Sequence, residues 1–273
     1  MKILTEKIKE KNSRVLVGLD PFIDKFPKHL IKGESKKDIA DSIIEFNKQI
    51  IDAVHDIVPA VKPQCAFYEQ FGYEGMRALE ETVRYAKEKD LYVIIDGKRN
   101  DIGSTAKGYA DGYLSDKGLQ ADSITINGYL GSDGIKPFLD TWKSIFVLAK
   151  TSNPSSGEFQ NLKLENGNYV YEEMAKLANE WNTDGNVGIV VGATYPEEIN
   201  SLRAKFPDLF FLIPGYGAQG GKAEDIKSAF SGAGAIVNSS RGILYAWQRN
   251  SDEKKFAEAA REEAMRMRDD LNA

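Results

Sequence analysis

Residues Leu91 to Thr105 read LYVIIDGKRNDIGST, and the rest of the chain is understood from this stretch outward. Leu91 to Ile95 is an apolar, partly β-branched run that follows the polar Lys87-Glu88-Lys89-Asp90, so it predicts a buried strand leaving a helix end. Asp96 and Lys98 stand two residues apart where that strand ends, and a period of two puts both side chains on one face. Asp101 comes three residues later, and Gly103-Ser104 predicts a turn into a helix. An acid, a base and a second acid leaving one buried strand are costly to place, which points to a site. A solvated ion pair at a surface strand end is the alternative, and this stretch alone leaves both open.

The same pattern recurs. Eight strand-like runs close on polar or glycine-containing residues: Arg14–Asp20, Ala60–Gln64, Tyr92–Lys98, Ser123–Tyr129, Ile145–Ser152, Val187–Ala193, Phe210–Gly215 and Ala235–Ser240. Helix-period segments lie between them at Lys37–Ile57, Tyr73–Lys89, Thr105–Lys117, Tyr169–Trp181, Pro196–Lys205 and Lys222–Ser231, and Asp252–Leu271 follows the last strand. Strands alternating with helices imply parallel pairing through right-handed crossovers. Eight such units without a linker-like stretch predict an α/β fold, a (β/α)8 TIM barrel spanning residues 1–273 as one domain, ahead of an open doubly wound sheet. Two connections, Pro21–Lys36 and Asn153–Asn168, exceed the usual few residues. Both follow strand carboxyl ends, the face where barrels carry their sites, so they either cover a ligand or are neutral insertions.

Composition narrows the function. Apolar residues make up 42%, enough for a sizeable core, and 36 Lys+Arg against 41 Asp+Glu give a net charge of -5. That balance argues against nucleic-acid or membrane-surface partners while leaving room for a local basic pocket that binds an anion. Cys65 is the only cysteine, so no intrachain disulfide forms and a reducing compartment is expected. The start, MKILTEKIKEKNS, has no signal-peptide apolar core and no run is long enough for a membrane span, so a cytoplasmic protein is expected. With His29 and His55 as the only histidines, both away from the strand ends, a zinc site or a Ser-His-Asp triad is disfavoured.

In a barrel the strand-end residues Asp20, Lys62, Asp96, Lys98 and Ser152 converge on one mouth. Lys62, if buried, needs a partner, and Asp96 is the natural one; otherwise it reaches out to water. Pro214–Gly221, PGYGAQGG, is a glycine-rich loop of the kind that lets backbone N–H groups approach a phosphate. Asn238-Ser239-Ser240-Arg241-Gly242 ends the next strand, and loops after strands seven and eight commonly form a barrel's phosphate site. Arg241 is suited to holding phosphate through two parallel hydrogen bonds, so a phosphorylated small molecule is the expected ligand.

These residues resemble one family closely. Asp96-Gly-Lys98-Arg-Asn-Asp101-Ile102 matches the D-x-K-x-x-D-I motif of the orotidine 5'-phosphate decarboxylases, Pro214-Gly-Tyr-Gly-Ala-Gln219-Gly is similar to their phosphate-gripping loop, and Arg241 to their phosphate arginine. Asp20 in VGLDP and Lys62 in VKPQ fall where the family has a ribose-contacting Asp and its first site Lys. The resemblance runs from Asp20 to Arg241, and the long connections look like the longer bacterial subgroup. It implies decarboxylation of orotidine 5'-monophosphate to UMP, in de novo pyrimidine synthesis, with no metal or cofactor. It further implies that Lys98 protonates C6, that Asp96 sits beside the departing carboxylate, and that Lys62 binds ribose hydroxyls and pairs with the aspartates. Asp20 and Gln64 would serve the ribose and Ser152, or adjacent Thr151, the pyrimidine. Gln219 and Arg241, with backbone near Pro214 and Ser240, would hold the phosphate. Asp101, Ile102 and Thr105 would reach the neighbouring subunit's site, making the active unit a homodimer. Lys62, Asp96, Lys98 and Asp101 are expected to titrate as a coupled set.

Rival readings remain at this level. Sugar-phosphate decarboxylases and synthases of the same superfamily share D-x-K-x-x-D but bind Mg²⁺ through a glutamate at the end of strand two, where this chain has Lys62, and an ammonium cannot ligate a metal. A Schiff-base aldolase using Lys62, Lys98 or Lys150 and a non-catalytic sensor of phosphorylated ligands are the others.

Overall fold

In the computed structural model, which describes residues 1–217, 221–249 and 252–273, eight parallel strands close in sequence order into a barrel. They are β1 (Val15–Leu19), β2 (Ala60–Pro63), β3 (Tyr92–Arg99), β4 (Ser123–Ile126), β5 (Ser144–Lys150), β6 (Val187–Val191), β7 (Phe210–Pro214) and β8 (Ala235–Ser239). The closing pair is β1 with β8, in register at Val15–Val237 and Val17–Ser239. Each strand is covered on both faces, which is why the apolar runs in the sequence are continuous. Inward residues Leu16, Ala60, Tyr92, Ile94, Phe146, Val190, Phe210, Leu212 and Ile236 form one cluster, and the intervening residues pack outward under the helices.

The helix Lys2–Lys11 plugs the far end of that interior with Leu4 and Ile8, a stripe of i, i+4 spacing within an otherwise charged segment. The sequence reading assigned no element there. It also missed Ser132–Leu139, between β4 and β5, a helix of 8 residues with Pro137 inside it. The run beginning at Ser123 ends at Ile126, because Asn127 accepts a hydrogen bond from the Tyr129 N–H and caps a 3-10 turn over Gly128–Leu130. The helix expected over Lys222–Ser231 divides into an α turn, Ala223–Ile226, and a 3-10 turn, Lys227–Phe230.

The longest outer helix, Lys36–Val54, starts where the Ser35 side chain accepts from the Asp38 N–H. It buries Ile43, Phe46, Ile50, Ile51 and Val54, and Phe46 stacks on Phe26 and Phe256. Phe26 and Leu30 carry the connection Pro21–Lys36 into this packing, so it is part of the wall. Asn153–Asn168 forms a 3-10 turn at Pro154–Ser156, a helical turn at Gly157–Gln160 and then a small hairpin bridged between Lys163 and Tyr169. Among the described residues, no helix is long and apolar enough to cross a membrane.

Candidate active site

The site is built where β3 departs from regular strand geometry. β3 and β4 are in register at Ile95–Ile124 and again at Arg99–Ile126, so Asp96, Gly97 and Lys98 together stand opposite the single residue Thr125. Asp96 follows Tyr92 and Ile94 inward, as a period of two requires. Lys98 arrives differently. Its φ is +47°, in the left-handed region, and the simple alternation expected for Asp96 and Lys98 is broken by the bulge between them. A lysine in that region is strained by roughly 1–3 kcal/mol. The Lys98 N–H donates to the Thr125 hydroxyl at 3.0 Å, in place of a ladder bond.

The charged groups close on Asp96. Lys62 Nζ donates to Asp96 Oδ2 at 2.6 Å, Lys98 Nζ to Oδ1 at 2.5 Å, and the Thr125 hydroxyl also to Oδ1 at 3.0 Å. Lys62 is 4% exposed and Asp96 8%, whereas the Lys98 side chain, at 47%, faces the open mouth. Burial alone would raise the Asp96 pKa, yet the two ammonium groups hold it well below the ordinary carboxylate range. Burial would likewise lower Lys62, but attraction to Asp96 and then Asp20 leaves it raised. Both stay ionised at neutral pH. Removing one partner of such a buried pair typically costs about 3–5 kcal/mol, because the other charge is stranded.

Asp20, at the end of β1, is pushed up from its usual value by burial, partly offset by Lys62 and the Ser240 hydroxyl, and its Oδ1 has no hydrogen-bond partner. Within one chain Lys62, Asp96, Lys98 and Asp20 form the charged cluster, while Asp101 accepts from the N–H of its neighbour, Ile102, at 2.9 Å. Two residues past the end of β3 at Arg99, Asp101 lines neither of the cavities at the mouth.

Two adjoining cavities share Lys62, Asp96 and Pro214. One, of about 170 Å³, runs from Asp20 and Asp96 to Gly215, Ser240 and Arg241. The other, of about 320 Å³, is walled by Lys98, Thr125, Leu148, Thr151, Ser152, Val190 and Leu212. The charge cluster therefore lies between a polar end beside Arg241 and a more apolar end beside Leu148 and Leu212. Gly18 makes the polar end possible, since a Cβ there would stand 1.9 Å from Ser240 Oγ and 3.0 Å from Asn238 Oδ1. Gly192 does the same opposite, where a Cβ would meet the Ser152 backbone at 2.8 Å. Arg241 is exposed, and its guanidinium makes no hydrogen bond to a described residue. Gly215 and Gly217, with φ of +96° and +68°, turn the loop after β7, and Gln219 lies outside the described residues.

Thr151 and Ser152 both line the larger cavity, but their hydroxyls differ. Thr151 donates to Asn153 Oδ1 at 2.6 Å and accepts from Gln160 Nε2 at 2.7 Å, which commits its hydroxyl to the insertion. Ser152 makes no such bond among the described residues. Lys150 is fully buried, donating to Ser156 at 3.1 Å and Asn161 at 2.8 Å, and lines neither cavity. Gln64 lines neither cavity as well, its amide oxygen folding back toward the Ala66 N–H. Ile102 is 53% exposed and Thr105 is exposed too, so with half-buried Asp101 they form an outward-facing edge past β3.

Thr125 was missed in the sequence. A signal existed: Ser123, Thr125 and Asn127 alternate with Ile124 and Ile126, which places polar residues on the inner face of a strand otherwise buried on both sides.

A family model described as "Orotidine 5'-phosphate decarboxylase / HUMPS family" matches residues 13–256. An orotidine 5'-phosphate decarboxylase of Rhodopirellula baltica is 42% identical, covering 98% of this chain and 97% of the relative. One from Caldicellulosiruptor bescii is 44% identical over 90% of this chain and 89% of its own. Among solved structures, Leishmania donovani OMP decarboxylase superposes with a TM-score of 0.77 at 36% identity, covering 98% of both chains.

Proposed function

As a member of the orotidine 5'-phosphate decarboxylase family, the chain converts orotidine 5'-monophosphate to UMP and CO₂, and we propose that Lys98 protonates C6 as the carboxylate leaves. The observation that carries this reading is the Lys98 ammonium, held on Asp96 at 2.5 Å in a cavity that joins, through Asp96, the one containing Arg241.

Breaking the bond from C6 to the carboxylate leaves the electron pair in an sp² orbital in the ring plane, where the π-system cannot delocalise it directly. A preplaced ammonium is then the strongest available stabiliser, and it needs no reorganisation as the charge develops. Lys98 gives its proton to C6 and regains one from solvent at the open mouth. Asp96 against the substrate carboxylate is a like-charge contact worth roughly 4 kcal/mol at about 4 Å and an effective dielectric near 20. That repulsion vanishes as neutral CO₂ departs. Binding energy from the distant phosphate allows the ground state to tolerate the contact.

In the same reading Lys62 and Asp20 hold ribose hydroxyls, Ser152 contacts the pyrimidine, and Arg241 with the backbone of Pro214 and Ser240 holds the phosphate. Asp101, Ile102 and Thr105 cross to the partner's site in a homodimer, which the outward-facing edge past β3 supports. Arg241→Ala should raise KM for orotidine 5'-monophosphate by roughly ten- to a hundredfold, the range of a charge-assisted hydrogen bond, with a smaller effect on kcat. Steady-state kinetics measure this, and an unchanged KM would remove Arg241 from the phosphate site.

A cation cannot share Asp96 with an ammonium 2.6 Å away, so Lys62 argues against a metal-dependent sugar-phosphate reaction here. A spectrophotometric assay with orotidine 5'-monophosphate after exhaustive EDTA treatment should give full activity. Loss of activity that added Mg²⁺ restores would contradict the proposal.

A further inference from the structure

We infer that Thr125 is a positioning residue for the decarboxylation, its one hydroxyl fixing both the carboxylate of Asp96 and the backbone of Lys98. The inference rests on the reading of Lys98 as proton donor and deepens it. Thr125 is 2% exposed, at the point where β3 spends three residues against one of β4. Its hydroxyl accepts the Lys98 N–H at 3.0 Å and is 3.0 Å from Asp96 Oδ1.

The direction of these bonds is forced. A backbone N–H only donates, so the hydroxyl oxygen must accept from Lys98, and an ionised carboxylate only accepts, so the hydroxyl proton must point at Asp96. One side chain thus spans the bulge from backbone to carboxylate. That matters because the β3–β4 ladder has lapsed here: the register resumes only at Arg99–Ile126, and Lys98 sits at a φ of +47° that a lysine does not adopt unaided. The mouth offers Lys98 a choice, since nearly half its side chain is exposed and its ammonium is free to swing toward water. The Thr125 hydroxyl fixes the origin of that side chain, and through Asp96 Oδ1 it fixes the acceptor on which the ammonium rests. A misplacement of about 1 Å is enough to lose a large part of an orientation effect, so the hydroxyl should show in the rate of the chemical step more than in binding.

Thr125→Val, Thr125→Ala and Thr125→Ser test this, with kcat, KM, UMP affinity and thermal melting measured on each. The valine and alanine variants should lose about tenfold or more in kcat while KM and UMP affinity stay within about threefold, and serine should stay within about threefold of the parent in all. Serine and alanine differ only by the hydroxyl, so the comparison holds even where valine packs badly. The inference is overturned if the hydroxyl-free variants keep the parental kcat, if serine is as impaired as alanine, or if KM rises in step with the fall in kcat. Folding of the serine variant alone would assign the hydroxyl to stability and overturn it as well. Parental turnover in Lys98→Ala would sink the proton-donor reading itself, whereas an inactive Lys98→Ala beside unaffected Thr125 variants would sink only the role of Thr125.

Discussion

Lys98→Ala should lower kcat by at least about 10⁴-fold while UMP binding stays within about tenfold of the parent. The size follows from two roles lost together: a positioned general acid contributes roughly 10²–10⁴, and a preorganised charge at the developing anion contributes roughly 10²–10³. Neither is replaced by water, because a solvent proton donor carries no fixed positive charge at C6. Binding survives for a structural reason. The polar cavity with Asp20, Ser240 and Arg241 does not include Lys98, and Asp96 keeps Lys62 at 2.6 Å, so no buried carboxylate is stranded. Folding should be little changed, since the Lys98 side chain is about half exposed. Stopped assays at high enzyme concentration, with UMP titration on the same preparation, measure both quantities. Turnover within tenfold of the parent would exclude Lys98 as the essential donor.

Mixing two inactive proteins should restore activity. Asp101→Ala should be nearly inactive, although among the described residues its carboxylate pairs with neither Lys62 nor Lys98 of its own chain and accepts from the Ile102 N–H alone. In a mixed dimer of Lys98→Ala and Asp101→Ala chains, one site carries both lesions and the other carries neither. With random exchange, half the dimers are mixed and half their sites intact, so about a quarter of parental activity is expected from a two-fold assembly. Native mass spectrometry confirms the exchange. Verified mixed dimers with no recovered turnover would confine Asp101 to its own chain and contradict the shared site.

The legibility of this chain varies with how local each signal is. The eight strands can be read because a parallel barrel buries both faces, which leaves runs such as Val15–Leu19 and Val187–Val191 apolar throughout. The helix Ser132–Leu139 is hard to read, being 8 residues long with a proline inside, and it is held by packing more than by propensity. Leu4 and Ile8 were legible as a stripe, but nothing in a charged leading segment says that it will plug a barrel. That Gln160 and Asn153 claim the Thr151 hydroxyl from within the insertion, while Ser152 has no such partner among the described residues, was not legible in the sequence.

The sequence by itself determined the barrel and the charged motif at the end of the third strand, because each is written in consecutive residues whose types have few other uses. Tertiary structure alone decided how Lys98 reaches Asp96, that Asp20 joins the charge cluster within one chain, and that Thr125 bridges the bulge. The physical reason is the same in each case. Register between neighbouring strands and the partners of a buried polar atom are properties of residues brought together across the chain, here Asp96 with Lys62 and Thr125, separated by 34 and 29 positions.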